Sequence, residues 1–252
     1  MKRSAQLDYS DLHGDVYYEK NNRERKAFTI VSILDDFLGE KLKTSRILDV
    51  GASTGFIDNV LADHAGYVEG LDIDQKAVQF AKKNFKKDNL EFKESDALRL
   101  SYQDECFEIV ICNHVYEHVV DDTQLMDEIF RVLTEDGICF FTAGNRLRLM
   151  EPHYHLPLLS VIPHAFAHMY LKIVGKGGYY HEKHRTYWGL KALVHRYKHK
   201  DYTREIVSNP QRYKAEYMIK QGSMKQAAAK FLCRYLYWAC PTYIWILEKR
   251  NV

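Results

Sequence analysis

Charge of one sign is missing from this sequence: 36 lysines and arginines stand against 34 aspartates and glutamates, a formal net charge of +2. Such a balance argues against a polyelectrolyte partner, and no nucleic acid is expected. A long uninterrupted apolar run is missing too. The richest candidate, residues 156–174, is broken by Pro157 and Pro163 and carries His164, His168 and Lys172, whereas a spanning helix needs roughly 20 mostly apolar residues. Cysteines are few. Cys106, Cys112, Cys139, Cys233 and Cys240 form no C-x-x-C pair and no zinc spacing. They read as free thiols in a reducing cytoplasm, with no metal expected. Residues 1–15 carry charges with no apolar stretch behind them, unlike a secretory signal. No internal repeat or low-complexity segment is visible.

What the chain has in abundance is rings. Aromatic residues make up 13%, with 18 tyrosines, and there are 12 histidines. Many of the tyrosines fall outside any regular core pattern, which assigns them to a cap or a substrate surface. The length of 252 residues suits one α/β domain with insertions.

Four segments follow from the patterning. Residues 1–45 are a helical leader or cap, in which Ala27, Ile30, Val31, Ile33, Leu34, Phe37 and Leu38 recur at helical spacing before Gly39. Residues 46–145 alternate strand and helix: RILDV, a helix over 54–64, YVEGLD, a helix over 74–87 capped by Asp74, LEFKES, FEIVICN, a helix over 121–133, and GICFFTA. This rhythm predicts a doubly wound α/β fold with a parallel sheet covered on both faces. Residues 146–185 break it with a His/Tyr-rich insert holding three of the five prolines, the mark of a lid or binding element. Residues 186–252 return to the sheet domain, with a helix over 186–197, a strand near 202–207, a helix over 224–237 and a last strand, PTYIWILEK.

The chemistry is concentrated in LDVGASTGF, residues 48–56. Asp49 closes a buried strand, Gly51 and Gly55 flank a tight turn, and a helix begins at once. Glycines there let the backbone pass close to a ligand, and the helix start presents partly positive amides. Asp72, at the end of the second strand, can accept both hydroxyls of a ribose. Asp96, after the third, can accept from an adenine amino group. Three acids at successive strand ends converge on one crevice. A dinucleotide site would want G-x-G-x-x-G, and Asp49 would repel its pyrophosphate; an acid suits a methionine ammonium better.

Residues 46–144 resemble the class I S-adenosylmethionine-dependent methyltransferases, in the small-molecule branch called type 11. LDVGASTG resembles the glycine-rich first motif, GLDID the ribose motif and SDAL the adenine motif. NHVYEHV and FRVLTEDGICFFTAGN resemble the segments that follow. The resemblance implies a seven-stranded Rossmann-like sheet whose last strand, PTYIWILEK, runs antiparallel. It also implies a cofactor, S-adenosylmethionine, held by Asp49, Gly51, Ala52, Ser53, Thr54, Gly55, Asp72, Ile73, Ser95, Asp96, Ala97 and Asn113. One residue departs from the pattern: Ser53 stands where the family usually has glycine. Serine fits if its φ is negative, and its hydroxyl could bind the methionine carboxylate.

For a hydroxyl acceptor a general base is needed, and histidine is the commonest. Position selects His114, directly after the fourth strand, and His153 and His155, just beyond the fifth. The apolar insert 156–174 is expected to form a hairpin of helices over a hydrophobic or lipid-linked acceptor, with a peripheral membrane contact and a homodimer contact both open. The expected reaction is O-methylation of a lipophilic or carbohydrate-type small molecule. The alternatives are a non-catalytic S-adenosylmethionine-binding regulatory or assembly protein, and a protein or nucleic-acid methyltransferase; the absence of N/D-P-P-Y/F after the fourth strand, where NHVY stands, weighs against the last.

Overall fold

A computed structural model describes residues 19–177 and 179–250. The described residues open with α1 (Lys20–Leu38), then β1 (Arg46–Val50), α2 (Phe56–Leu61), β2 (Tyr67–Asp72), α3 (Gln75–Asn84), β3 (Leu90–Glu94), β4 (Phe107–Asn113), α4 (Asp122–Val132) and β5 (Leu133–Gly144); residues 1–18 of the expected leader lie outside them. A hairpin of two short strands, β6 (Met150–Glu151) and β7 (Leu156–Pro157), leads to α5 (His164–Ile173). The chain ends with α6 (Tyr187–Leu193), β8 (Tyr197–Asp201), α7 (Tyr202–Ser208), α8 (Met224–Tyr235) and β9 (Thr242–Lys249).

The seven-stranded sheet runs β3-β2-β1-β4-β5-β9-β8. Neighbours among β1–β5 pair parallel, and β9 is antiparallel to both β5 and β8. The expected doubly wound seven-stranded sheet with PTYIWILEK as an antiparallel strand is therefore present.

Period-two alternation decides which residue faces which layer. Ile47, Ile109, Ile111, Phe140 and Ile246 point to the layer of α1 and α2, where they meet Ile30, Ile33, Leu34, Ile57 and Leu61. Leu48, Val110, Cys112, Phe141 and Trp245 point the other way, to Leu125, Met126 and Ile129 of α4 and Leu190 and Leu193 of α6. Since β1 to β4 are parallel, their carboxyl ends share one rim. The connections there hold the candidate site residues.

Three local expectations are corrected. The strand expected near 202–207 is a helix, α7, and the edge strand lies just before it. Asp201 switches the backbone, its carboxylate accepting from the Thr203 amide as an N-cap. β8 reads polar because it is an edge strand, with only Tyr197 buried. The helix expected over 186–197 ends at Leu193. Finally, the insert is not a hairpin of helices. Pro157 lies in a strand and Pro163 opens a single helix, so only α5 forms. Leu156, Leu159, Ala167, Leu171 and Tyr180 give this cap a small core of its own, separate from the sheet's.

Candidate active site

Asp49, near the end of β1, and Asp72, ending β2, come together beneath the glycine-rich turn, and a third carboxylate joins them. This is Asp58, in the first turn of α2 and fully buried. Burial above all, then the charges of Asp58 and Asp72, raise the Asp49 pKa well above the usual carboxylate range. Burial likewise pushes Asp58 up to about 7, against hydrogen bonds from its own backbone and to Asp49. Asp72 is raised by burial, although the amides of Ser53 and Asp74 donate to its two oxygens at 2.8 and 2.9 Å. Arg23 of α1 is the cation whose field lowers Asp49 and Asp58. Crowded buried carboxylates of this kind are stabilised by a cationic ligand.

The turn between β1 and α2 is fixed by its own hydrogen bonds. The Gly51 and Ala52 amides both donate to the Leu71 carbonyl, at 2.8 and 2.9 Å. These amides, with that of Ser53, tie the turn to β2. Gly51 has φ +81°, and a Cβ there would come within 2.7 Å of Val115. Gly55 has φ +77°, and its Cβ would meet Phe92 at 2.6 Å. Both glycines are required by backbone and by space. Ser53 has φ +55°, not the negative value expected of a tolerated serine. Its hydroxyl is buried with no hydrogen-bond partner. Ser53 is thus a serine held in a glycine-favouring conformation, with an orphaned hydroxyl.

The remaining candidates line the same rim. Thr54 is buried, and Ile73 is half-buried beside Asp72. The Ser95 amide donates to the Asp72 carbonyl, and Asp96 accepts from the Leu98 amide at 3.0 Å. Ala97 packs against the core. Asn113, the last residue of β4, accepts from Thr142 at 2.7 Å.

On the acceptor side, His114 leaves β4 with φ +59°, and its Nδ1 lies 2.9 Å from Glu117. Glu117 is buried; burial opposes its charge, but the His114 hydrogen bond and the nearby His114, His118 and His184 hold its pKa well below the usual range. An ionised Glu117 accepts a hydrogen bond from Nδ1–H, which in a neutral ring leaves His114 Nε2 as the unprotonated nitrogen. The structure brings His153 to the same place: its ring lies 5.5 Å from that of His118, edge to face. The amides of His153 and Tyr154 donate to the buried Glu151. His155 is exposed on the same turn, at φ +52°.

Residues 48–141 match the family model described as Methyltransferase domain. Over these residues the chain is similar to a methyltransferase domain. Ribosomal protein L11 methyltransferase of Dictyoglomus thermophilum is 35% identical over 116 residues, which are 45% of this chain and 36% of that protein. Ubiquinone biosynthesis O-methyltransferase of Coxiella burnetii is 28% identical over 107 residues, 42% of this chain and 46% of that one. The chain thus spans less than half the length of these relatives. In fold it is similar to the plantazolicin methyltransferase BpumL, solved with a monoazolic desmethylPZN analog and SAH, at a TM-score of 0.61. That likeness covers 98% of this chain and 94% of BpumL at 17% identity.

The matched residues hold the motifs on β1, β2, β3 and β4, and the cap lies beyond them. Sequence reasoning missed Asp58, though its place three residues after Gly55 was a signal. It also missed Glu151 and Glu182, both buried in the cap, and Arg148 beside them. Nothing in their spacing marks them, because only the folded cap brings them together.

Proposed function

We propose that the chain transfers a methyl group from S-adenosylmethionine to a hydroxyl oxygen of a small or lipid-linked acceptor. The observation that carries this reading is the cluster of buried carboxylates under a turn that only glycine permits at Gly51 and Gly55. Asp49 and Asp58 lack enough positive charge of their own, which suits a methionine ammonium. Each Asp72 oxygen accepts one amide and keeps a lone pair for a ribose hydroxyl. The Ser53 hydroxyl is free to donate to the methionine carboxylate, Asp96 stands on the adenine side, and Asn113 borders the crevice. When bound, the cofactor supplies an already activated methyl group, so the protein's part is alignment and removal of a proton.

The His114–Glu117 pair supplies that base. Glu117 fixes the tautomer, and His114 Nε2 takes the acceptor's proton. His153 and His155 stand on the cap turn, where they help orient the acceptor. The outer wall of the cap supports a peripheral membrane contact: Phe166, Met169 and Ile173 of α5 are exposed beside Lys172. Among the described residues no helix is long and apolar enough to cross a membrane.

The test is release of S-adenosylhomocysteine from S-adenosylmethionine and a panel of hydroxylated acceptors. His114→Ala is expected to lower kcat by on the order of 10²- to 10⁴-fold, the usual worth of a general base. A cofactor that binds with no release under any acceptor would leave the non-catalytic reading standing.

A further inference from the structure

The cap was expected to offer an apolar groove. Its apolar side chains turn elsewhere: Leu156, Leu159, Ala167 and Leu171 fill the cap's own core, and Phe166, Met169 and Ile173 face solvent. What the cap encloses is polar. Between the β4–α4 loop, the β6–β7 hairpin and residues 179–185, buried polar atoms lack any hydrogen-bond partner. They are Glu117 Oε2, Arg148 Nη2, Glu151 Oε1, Tyr180 Oη, both oxygens of Glu182 and both ring nitrogens of His184. Glu151 is 0% exposed, Glu182 1% and Arg148 6%. Proteins do not leave so many enclosed donors and acceptors unmade without something to receive them.

These groups are near neighbours. Glu117, Glu151 and Glu182 feel each other's charge or share the fields of Arg148, Tyr154 and His184. Gly144 at the end of β5 admits two of them: a Cβ there would lie 1.4 Å from Arg148 Nη2 and 3.2 Å from His184 Cε1. The cluster also adjoins the proposed base through Glu117. One Glu117 oxygen holds His114, the other is unpartnered, and the Lys183 amide donates to the Glu117 carbonyl at 2.9 Å. Among the described residues no three His, Cys, Asp or Glu side chains are grouped to hold an ion.

The geometry points to a hydroxyl-rich acceptor, a saccharide or polyol, seated against this cluster with one hydroxyl turned toward His114. The inference rests on the methyl-transfer reading above. Donors (Arg148, Tyr180, one nitrogen of His184) are interleaved with acceptors (Glu117, Glu151, Glu182, the other nitrogen). A hydroxyl both donates and accepts, so a ring carrying several can meet such a mixture. A hydrocarbon or quinone ring offers too few polar atoms and would leave the carboxylates bare. A phosphate or carboxylate ligand would be repelled by the three glutamates. An amine would answer the glutamates and leave Arg148 without an acceptor. The hydroxyls have two sources, a free sugar or the headgroup of a glycolipid whose chains lie along the apolar outer wall.

The protein would be assayed with S-adenosylmethionine against three probe sets: methyl hexopyranosides with nucleotide-linked hexoses, a glycolipid in phosphatidylcholine vesicles, and sugar-free catechols and short-chain quinols. We expect S-adenosylhomocysteine release and a methylated product in a sugar set, at least about tenfold above the quinols. Activity confined to vesicles assigns the glycolipid, and activity on free glycosides the soluble sugar. Glu182→Gln and Glu151→Gln should each raise the sugar's KM about tenfold, with kcat and cofactor affinity nearly unchanged, since uniform binding is what they remove. Both variants should melt no lower than the parent, because each removes a buried charge. Turnover of quinols alone, or of any acceptor with an unchanged KM in both variants, would overturn the inference and leave methyl transfer intact. Saturation-transfer NMR of the glycosides on protein loaded with S-adenosylhomocysteine separates the remaining case. Sugar contact without turnover keeps the polar cluster as the sugar's seat and defeats methyl transfer, whereas no contact from any sugar defeats that seat.

Discussion

At the residue scale, Ser53 and Asp58 hold conformations and charges that the fold alone does not reward. Ser53 sits at φ +55° with a buried, unpartnered hydroxyl. Glycine adopts that backbone without strain, so Ser53→Gly should leave stability within ~1 kcal/mol of the parent. Cofactor binding should weaken by roughly 1.5 kcal/mol, about tenfold, for the loss of a hydrogen bond to a charged group. Calorimetry reads both, and unchanged affinity would return Ser53 to a mere substitution for glycine. Asp58 is a second case. Its pKa is raised by burial from 3.8 to about 7. A raised folded pKa means that stability is fully present below the unfolded value and is lost as pH rises through the folded one. Relative to the parent, Asp58→Asn should therefore gain stability between about pH 4 and 7, by up to about 1.4 kcal/mol for each pH unit. Denaturant midpoints at pH 5 and pH 8 measure that difference, and parallel profiles would contradict it.

At the element scale, the fates of two apolar side chains in the insert separate packing from contact. Leu159 is 0% exposed inside the cap core, and Phe166 is 59% exposed on α5. Leu159→Asp buries a charge among apolar groups and should cost ~3 kcal/mol or more, seen as a lowered Tm. Phe166→Asp should change stability by less than ~0.5 kcal/mol. Its effect should appear as lost binding to anionic vesicles, measured by co-sedimentation. Equal destabilisation by both would make α5 a packed element only. The strands were legible from the sequence wherever burial imposed a pattern: RILDV, FEIVICN and PTYIWILEK are buried runs. β8 was not, because YKHKD is an edge strand whose polar residues resemble a loop. YTREIV, rich in β-branched residues, is helical because Asp201 caps it. Local preference lost there to a single capping carboxylate.

At the scale of the whole molecule, the two halves of the site differ in how they are encoded. The proposed cofactor side was legible because Asp49, Gly51, Gly55, Asp72 and Asp96 each lie at or just after the end of a strand in the parallel part of the sheet. Sequence order therefore becomes spatial order. The acceptor side was only partly so. His114 and His153 could be named from their distance to strand ends. Glu117, Arg148, Glu151, Glu182 and His184 come from three separated segments, and no periodicity relates them. The cap's apolar composition pointed to a hydrophobic acceptor, yet its interior is polar because the apolar residues pack on one another. The most direct test of the carboxylate cluster as a cofactor site is titration calorimetry of S-adenosylmethionine into the parent protein and Asp72→Ala. Asp72 ends a strand and carries little of the core, so the variant should fold. We expect its affinity to fall by ~1.5 to 3 kcal/mol, the worth of a charged hydrogen-bond partner. A folded variant that binds the cofactor as tightly as the parent would contradict the site.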